Sequence, residues 1–503
     1  MTDMGRAWEY RPLLKGEKIR IAFLFQIASF WPSWESLFRE CERDERFDVR
    51  LYLVQDGVDV TNHTQSAEAF LKAEQITYYT FADLDFQVFS PHIAIVQTPY
   101  EYLHRRPHLY SLQLKQSGIR VVYIPYGIEL ADTAAARHDH FREPVIRNSW
   151  RIYTLSDAFA MEYHKYCENA AAVRAFGLPR FDTLCHSPRY DLSSDIKERI
   201  GNRKVIVWHA HFAKRIFVEG SYRQVTPYID EYLAFADLLV SYQQYFFIFL
   251  PHPRFGDDAV DVESNMKSAL LLRKINCCPN AMVDRADDYR PVLFSADAII
   301  TDRSAIMVES ALAGVPVLYL SNPDFQEPLF PPLVSLIDSY DQGSGCNDIV
   351  RFLNGFERGE DDKKPMREAC LRQTIPYLDG KCAQRIRDDF AAGVESNVEA
   401  PTQPEHLRII IFGTGFLYQK IMSFFRFPAY CTIVALTDND SARWHGECDG
   451  ISIIPPDCIQ QMDFDKIIIM AGNVFEEQIY KQLRFDLEIP ETKIAYCDYI
   501  ATL

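Results

Sequence analysis

The chain contains no CxxC pair, no apolar run of membrane-spanning length and no surplus of basic charge. Each absence excludes a class of protein. The twelve cysteines are scattered, and the adjacent Cys277 and Cys278 suit a tetrahedral metal poorly. All are read as reduced thiols, which sets aside a disulfide framework and a structural zinc site. The longest apolar runs, such as 245–250, have strand length and fall far short of the roughly 20 residues a membrane helix needs. Residues 1–18 lack the apolar core of a secretory signal, so the chain is expected in the cytoplasm, with a place at the inner face of the cell membrane left open. A formal net charge of −17 argues against a broad phosphate-binding face for nucleic acid, while leaving room for a small basic pocket. No repeat of solenoid period is present.

What the chain does have is an α/β grammar, repeated. Its 503 residues are too many for one hydrophobic core. Short β-rich runs at 19–25, 49–54, 76–81, 92–97, 120–124 and 151–155 alternate with helical stretches such as 33–43 and 158–168. The same alternation restarts at Lys204, with strands expected at 205–209, 245–250, 281–283, 297–301 and 315–320 and helices at 227–242, 260–274 and 305–313. Pro251, Pro253, Gly314 and Pro316 punctuate the junctions. A helical segment follows over 366–392. The fold class is therefore α/β: two Rossmann-like lobes with a cleft between them, the GT-B arrangement, plus a third, smaller Rossmann-like unit. The boundaries predicted are 1–195 for the first lobe, 196–394 for the second with its closing helix, 395–406 for a polar, Pro-containing linker, and 407–503 for the third unit.

One segment concentrates chemistry. In DAIITDRSAIMVESALAGVPVLYL, 297–320, an apolar strand ends at Thr301-Asp302, Arg303-Ser304 make the turn, and a helix begins near Ala305. Ser304 is a good N-cap, and the helix start beyond it offers N–H donors and a positive dipole end to a diphosphate. Arg303 would add charge-assisted bonds, and Glu309 is placed to reach a ribose hydroxyl. A generic capped helix of a Rossmann unit is the competing reading. The segment is similar to the nucleotide-binding signature of GT-B enzymes, UDP-GlcNAc 2-epimerases among them. It resembles more closely the Thr-Asp-Tyr-Ser-Ser signature of CDP-glycerol glycerophosphotransferases, with Arg303 in place of the tyrosine and Ala305 of the second serine. Three further segments resemble that family in the same order: GLPRFDTL (177–184) at the junction of the lobes, YFFIFLPHPRF (245–255) with its His-Pro pair, and YLDGKCAQRI (377–386) opening the closing helix.

The resemblance implies that His252 contacts the donor phosphates, with Arg254 as a further phosphate partner, and that Thr301, Asp302, Arg303, Ser304, Ala305 and Glu309 line the donor site. It implies an acceptor side made by the first lobe, including Tyr126, Gly127, Arg180 and Asp182. There the sequence departs from the family. Where the family has Trp-His-Gly, with the histidine as general base, this chain has Tyr126 before Gly127, and a phenol with a pKa near 10 is a poor base at neutral pH. His209 and His211, at i and i+2 of VIVWHAHF, are the replacement candidates. Cleft acid–base groups, a metal pair and buried polar anchors all fit their spacing, although no third metal ligand lies nearby in sequence.

The third unit opens with RIIIFGTGFLY. Gly413 and Gly415 match the first two glycines of a dinucleotide fingerprint, Tyr418 replaces the third, and Asp438 stands where a ribose-binding acid would. The run from Asp438 onward resembles a small Rossmann domain of sugar-modifying and capsule-assembly proteins, for which nucleotide binding and a purely structural role are both open. The expected activity is transfer of a glycerophosphate, or a similar alditol phosphate, from a CDP-activated donor to a glycan or polyol-phosphate acceptor, lipid-linked or free, in cell-surface polymer or capsule synthesis. Glycosyl transfer from a nucleotide sugar and a non-catalytic nucleotide-binding scaffold are the alternatives. No cofactor and no metal are expected beyond the donor nucleotide, and no nucleic acid. Peripheral membrane association and homo-oligomerisation are left open.

Overall fold

The computed structural model describes residues 10–54, 63–80, 85–185, 191–218, 221–256, 262–286, 288–396, 406–424, 427 and 430–502. In the first lobe the strands are β1 (Ile19–Phe25), β2 (Phe47–Leu53), β3 (Tyr79–Thr80), β4 (Ile93–Val96), β5 (Arg120–Tyr123), β6 (Arg151–Tyr153) and β7 (Val173–Arg174). They form one parallel sheet in the order β3-β2-β1-β4-β5-β6-β7. The second lobe contains β8 (Lys204–Ala210), an antiparallel hairpin of β9 (Arg215–Val218) and β10 (Ser221–Gln224), then β11 (Tyr245–Pro251), β12 (Ala281–Val283), β13 (Ala298–Thr301), β14 (Val317–Leu320) and β15 (Asp341–Gly343). Its sheet runs β12-β11-β8-β13-β14-β15, again parallel throughout. The third unit carries β16 (Leu407–Phe412), β17 (Cys431–Thr437), β18 (Glu447–Cys448), β19 (Ile451–Ile454), β20 (Lys466–Ile469) and β21 (Ile494–Tyr496) in the order β18-β19-β17-β16-β20-β21.

Side-chain alternation explains why the second sheet is buried on both faces. Along β8, Val205 and Val207 join the core shared with the first lobe, while Ile206 and Trp208 join the core on the opposite face. The helix expected over 366–392 is two helices, Lys364–Thr374 and Cys382–Glu395. Pro376 explains the break, because the residue before a proline is forced out of the α region, and Ile375 is at φ −123, ψ 76. Most of the expected linker, residues 397–405, lies outside the described residues. No described helix is long and apolar enough to cross a membrane.

The lobes are tied together by residues of the Gly-Leu-Pro-Arg-Phe-Asp segment. Gly177 has φ +80, and a Cβ there would collide with the Cys382 sulfur and with Tyr377 Cβ at 2.8 Å. Asp182 accepts the backbone N–H groups of Cys382 (2.8 Å) and Ala383 (2.7 Å), so it caps the helix Cys382–Glu395 from the other end of the fold. That helix packs back on the first lobe, where Asp389 bonds Arg151 (2.8 Å) and Tyr153 (2.6 Å). Asp182 is thus a buried cap and not part of an acceptor surface, a correction to the sequence expectation. Replacing it by alanine is expected to cost about 1–2 kcal/mol, the usual worth of a lost cap, read as a lowered denaturant midpoint with an unchanged slope.

The third unit does not stand clear of the first lobe. Leu112, from the first lobe, sits in one of its two cores, and the Arg142 guanidinium lies 5.5 Å from the Tyr496 ring. His138 Nε2 is 3.8 Å from Glu476 across the same seam.

Candidate functional site

The carboxyl ends of β8 and β11 lie side by side, with His209 opposite Leu250 and Ala210 opposite Pro251. His209 is buried, and its Nδ1 lies 2.7 Å from the Leu250 carbonyl. Its Nε2 is enclosed with no hydrogen-bond partner among the described residues. Burial pushes its pKa down to about 4, so it is neutral. Of the roles open to it in the sequence, this is the buried anchor. It locks two strands together and does not face the cleft as a catalytic group.

His211 lies just past the strand. Its backbone N–H donates to both oxygens of Asp302, at 2.9 and 3.0 Å. Its Nδ1 is 3.0 Å from the Phe212 carbonyl, which can only accept. The proton therefore resides on Nδ1, and Nε2 presents a lone pair. His252 has the opposite assignment. Its Nδ1 accepts the Arg254 N–H at 3.1 Å, so the proton is on Nε2. The two rings are 4.3 Å apart. Burial dominates the pKa of each, lowering His211 well below its usual value and His252 to about 3. The pair is thus one neutral acceptor beside one neutral donor, with the Arg254 guanidinium 4.7 Å from the Phe212 ring at its edge.

The β13 turn is built differently from the expectation. Thr301 and Asp302 are fully buried. Asp302 takes the Tyr232 hydroxyl (2.8 Å) as well as the His211 N–H, and burial raises its carboxyl to about 7. Its role is to fix the chain at His211. Arg303 is also buried. It pairs with Glu327 at 2.5 Å and donates to the Leu130 carbonyl at 2.9 Å, so it fastens the two lobes and is not offered to a diphosphate. Ser304 Oγ accepts the Ile306 N–H at 3.1 Å, but the N-cap position of the helix is taken by Ala305, so the serine stands one residue ahead of the place expected of it. Met307 and Val308 already donate to the carbonyls of Ser304 and Ala305, and α-helix runs only over Ile306–Glu309 before tightening to 3-10 at Ser310–Ala313. The row of free donors expected there is mostly occupied.

Glu309 is wholly buried and ion-paired with Arg180 across the lobes at 2.5 Å. Arg180 also donates to the Tyr126 carbonyl (3.0 Å) and the Tyr289 hydroxyl (3.1 Å). Burial lifts the Glu309 carboxyl above its usual range despite the arginine. Buried against each other, Glu309 and Arg180 offer no surface to a ribose or an acceptor, which corrects both expectations.

The first-lobe wall supplies residues the motifs did not. Tyr126 stacks on Phe30 with centroids 4.0 Å apart, and burial followed by Asp139 raises its phenol above the usual value. Gly127 has open space where a Cβ would be. Thr133 caps the helix Ala134–Phe141, which brings Asp139 to the Tyr100 hydroxyl (3.5 Å) and His140 into the field of Lys214 and Glu327. Lys214 is 3.9 Å from Glu327. The signal that could have found this wall is the run His138-Asp139-His140, three titratable groups in succession. Side-chain atoms of His138, Asp139 and Glu143 lie within 4.8 Å of one another, and the described residues contain that one potential metal-binding group.

In the third unit Asp438 is engaged by its own loop, accepting the Thr414 N–H at 2.8 Å and hydroxyl at 2.7 Å. Tyr418 is fully buried, and its hydroxyl donates to Asp449 at 2.9 Å.

No curated protein matches the chain. A family model described as C2185-like, N-terminal, matches residues 405–495. Among solved structures, a UDP-N-acetylglucosamine 2-epimerase superposes on 77% of this chain and 100% of its own, with 15% identity and a TM-score of 0.53. The UDP-GlcNAc 2-epimerase of Neisseria meningitidis, solved bound to UDP-GlcNAc, covers 75% of this chain and 100% of its own at 14% identity and a TM-score of 0.50. The wall teichoic acid polymerase TagF covers 75% of this chain and 89% of its own at 11% identity and a TM-score of 0.46. The chain has a GT-B-like pair of Rossmann-like lobes, followed by a third Rossmann-like unit.

Proposed function

We propose that the chain is a transferase that moves a glycerophosphate, or a similar alditol phosphate, from a CDP-linked donor to a hydroxyl of a glycan or polyol-phosphate acceptor. The observation that carries this reading is the pair His211–His252, two neutral imidazoles in opposite tautomers 4.3 Å apart at adjoining strand ends. The acceptor oxygen attacks the β-phosphorus of the donor, and its proton passes to His211 Nε2. The bond from that phosphorus to the bridging oxygen breaks, and CMP leaves while His252 Nε2–H donates to its phosphate. Lys214 and Arg254 are the cations that offset the diphosphate charge in this reading, the role expected of Arg303. The four segments that resemble CDP-glycerol glycerophosphotransferases support the choice of donor.

The test is a thermal-shift screen of CDP-glycerol, CDP-ribitol, CMP, UDP-sugars and CMP-sugars, followed by assay of nucleotide release with a polyol-phosphate acceptor. A ligand that binds only the folded state at about 100 times its Kd stabilises by about 2.7 kcal/mol. Stabilisation by CDP-alditols with release of CMP is expected. Stabilisation by UDP-sugars with release of UDP would replace this reading by glycosyl transfer, and binding without turnover would leave a scaffold.

A further inference from the structure

The glycine pair of the third unit plays no part in the transfer reaction above. In the sheet order β18-β19-β17-β16-β20-β21, winding reverses between β16 and β20. Ligands of open α/β sheets sit beyond the carboxyl strand ends at such a point. A cavity of about 680 Å³ is found there. That is within the roughly 300–1,000 Å³ typical of small-molecule sites.

The two glycines have different reasons to be glycine. Gly413 is at φ +105, and a Cβ on it would come within 2.5 Å of the Met470 carbonyl, so the close strand approach requires it. Gly415 lines the cavity, and nothing lies within 4 Å of its Cβ position. No packing demand accounts for it, and its backbone is left open to whatever fills the space.

The walls come from two units of the fold. Leu112 of the first lobe and Phe412, Ile421 and Met470 of the third unit make the apolar floor. Around the opening three aromatic rings from three elements keep much of their surface in water: Tyr102 at 37%, Phe416 at 79% and Phe475 at 59% exposure. Such a ring of exposed aromatics fits a planar group laid against it. Charges of both signs line it: Asp438 lies 3.9 Å from Arg443, and His138 lies 3.7 Å from Glu143 and 3.8 Å from Glu476. Lys420 Nζ is 5.9 Å from the Phe416 ring and 5.7 Å from that of Tyr102, and Arg443 donates to Thr414 between the two glycines at 2.9 Å. Glu143 and Glu476, both buried, form another part of the lining and can accept hydroxyl donors.

An aromatic ring, an anionic middle and a hydroxyl-rich end describe a nucleoside diphosphate joined to a sugar or alditol. We propose that this cavity is a second nucleotide site, for a nucleoside-diphosphate sugar or alditol, completed by Tyr102 and Glu143 of the first lobe. It is distinct from the cleft at His211 and His252 and does not depend on the chemistry assigned there. An occupant fastens the third unit to the first lobe.

Photolabelling of the full chain with 5-azido-UDP-glucose and with 8-azido-ADP-ribose, followed by peptide mapping, tests it. The label is expected on peptides spanning 412–421 or 475–480, displaced by excess unmodified nucleotide. Gly415→Trp, which places a large ring in the open space, is expected to reduce that labelling at least tenfold. Tyr102→Ala, at the surface of the other unit, is expected to reduce it several-fold with the melting temperature unchanged, so the test survives if the tryptophan variant does not fold. Labelling confined to peptides containing 211–214 or 252–255, the absence of displaceable label with both probes, or labelling undiminished in a folded Tyr102→Ala protein overturns the proposal.

Discussion

His211→Gln is expected to lower turnover by about 10²–10⁴-fold, the usual worth of a positioned proton acceptor, while donor affinity stays within a few-fold of normal. Glutamine preserves the size of the side chain and can still meet the Phe212 carbonyl, but it has no lone-pair nitrogen. His252→Ala is expected to fall as far in turnover, and to lose donor affinity as well, because its Nε2–H addresses the diphosphate. Tyr126→Phe is expected to change little, since burial and Asp139 keep that phenol protonated. The pH profile follows from the direction of the shifts. Both imidazoles titrate below the usual value, His252 at about 3, so the competent neutral pair persists from pH 6.5 upward. The imidazoles therefore set no acid limb of kcat/KM above pH 6.5, and the limb expected near 7 is that of Asp302, whose carboxylate holds the His211 N–H. Near-normal turnover of His211→Gln at pH 6 to 9 would show that His211 is not the base. Asp139 and His140, on the opposite wall, would then be the groups to replace.

Arg180→Ala is expected to be among the most destabilising single changes in the chain, at about 3–5 kcal/mol. The residue is buried, and its removal strands Glu309 as an unpaired carboxylate with no access to water. Glu309→Gln should cost less, because the amide is uncharged and can still accept from the guanidinium. The pair Arg180→Met with Glu309→Leu should recover much of the loss, since a buried ion pair exchanged for apolar volume is often neutral in stability. Chemical denaturation of the wild type, Arg180→Met, Glu309→Leu and the double variant measures this as a coupling energy. Additive losses would mean that the two residues do not act as a pair. A recovered double variant that no longer binds donor would separate the stability role of the pair from any part it plays when the lobes part.

The architecture was legible because buried parallel strands read as continuous apolar runs, as in β8 and β11, and because proline and glycine mark their ends. Strands with little apolar signal escaped. β10, Ser-Tyr-Arg-Gln, is polar, its partner β9 is only four residues long, and β15, Asp-Gln-Gly, carries none of the residues that announce a strand. The candidate site was legible only in part. The motifs located the right strand ends, but a motif does not say which side chains meet across the lobes. Arg180 and Glu309 each looked like a ligand-binding residue from its own segment, and each is spent on the other. Arg303 is similarly taken by Glu327. The tautomers of His211 and His252 depend on a carbonyl and an N–H that only the folded backbone brings into reach. The titratable wall at 138–140 went unread because a short helix with no strong apolar stripe gives no reason to place those groups at a cleft or a seam.

Asp182 has a consequence for how this chain is made. The N–H groups it caps belong to Cys382, 200 residues later. At synthesis rates of roughly 5–20 residues per second, about 10–40 s separate the two halves of that contact. Through that interval the face of the first lobe that will receive the helix Cys382–Glu395, including Tyr153 and Arg151, is open to other partners. The first lobe therefore forms on the ribosome without the helix that Asp182 caps. Its last step waits for the whole second lobe, which makes the nascent chain, more than the finished protein, the form exposed to misassembly and to chaperones.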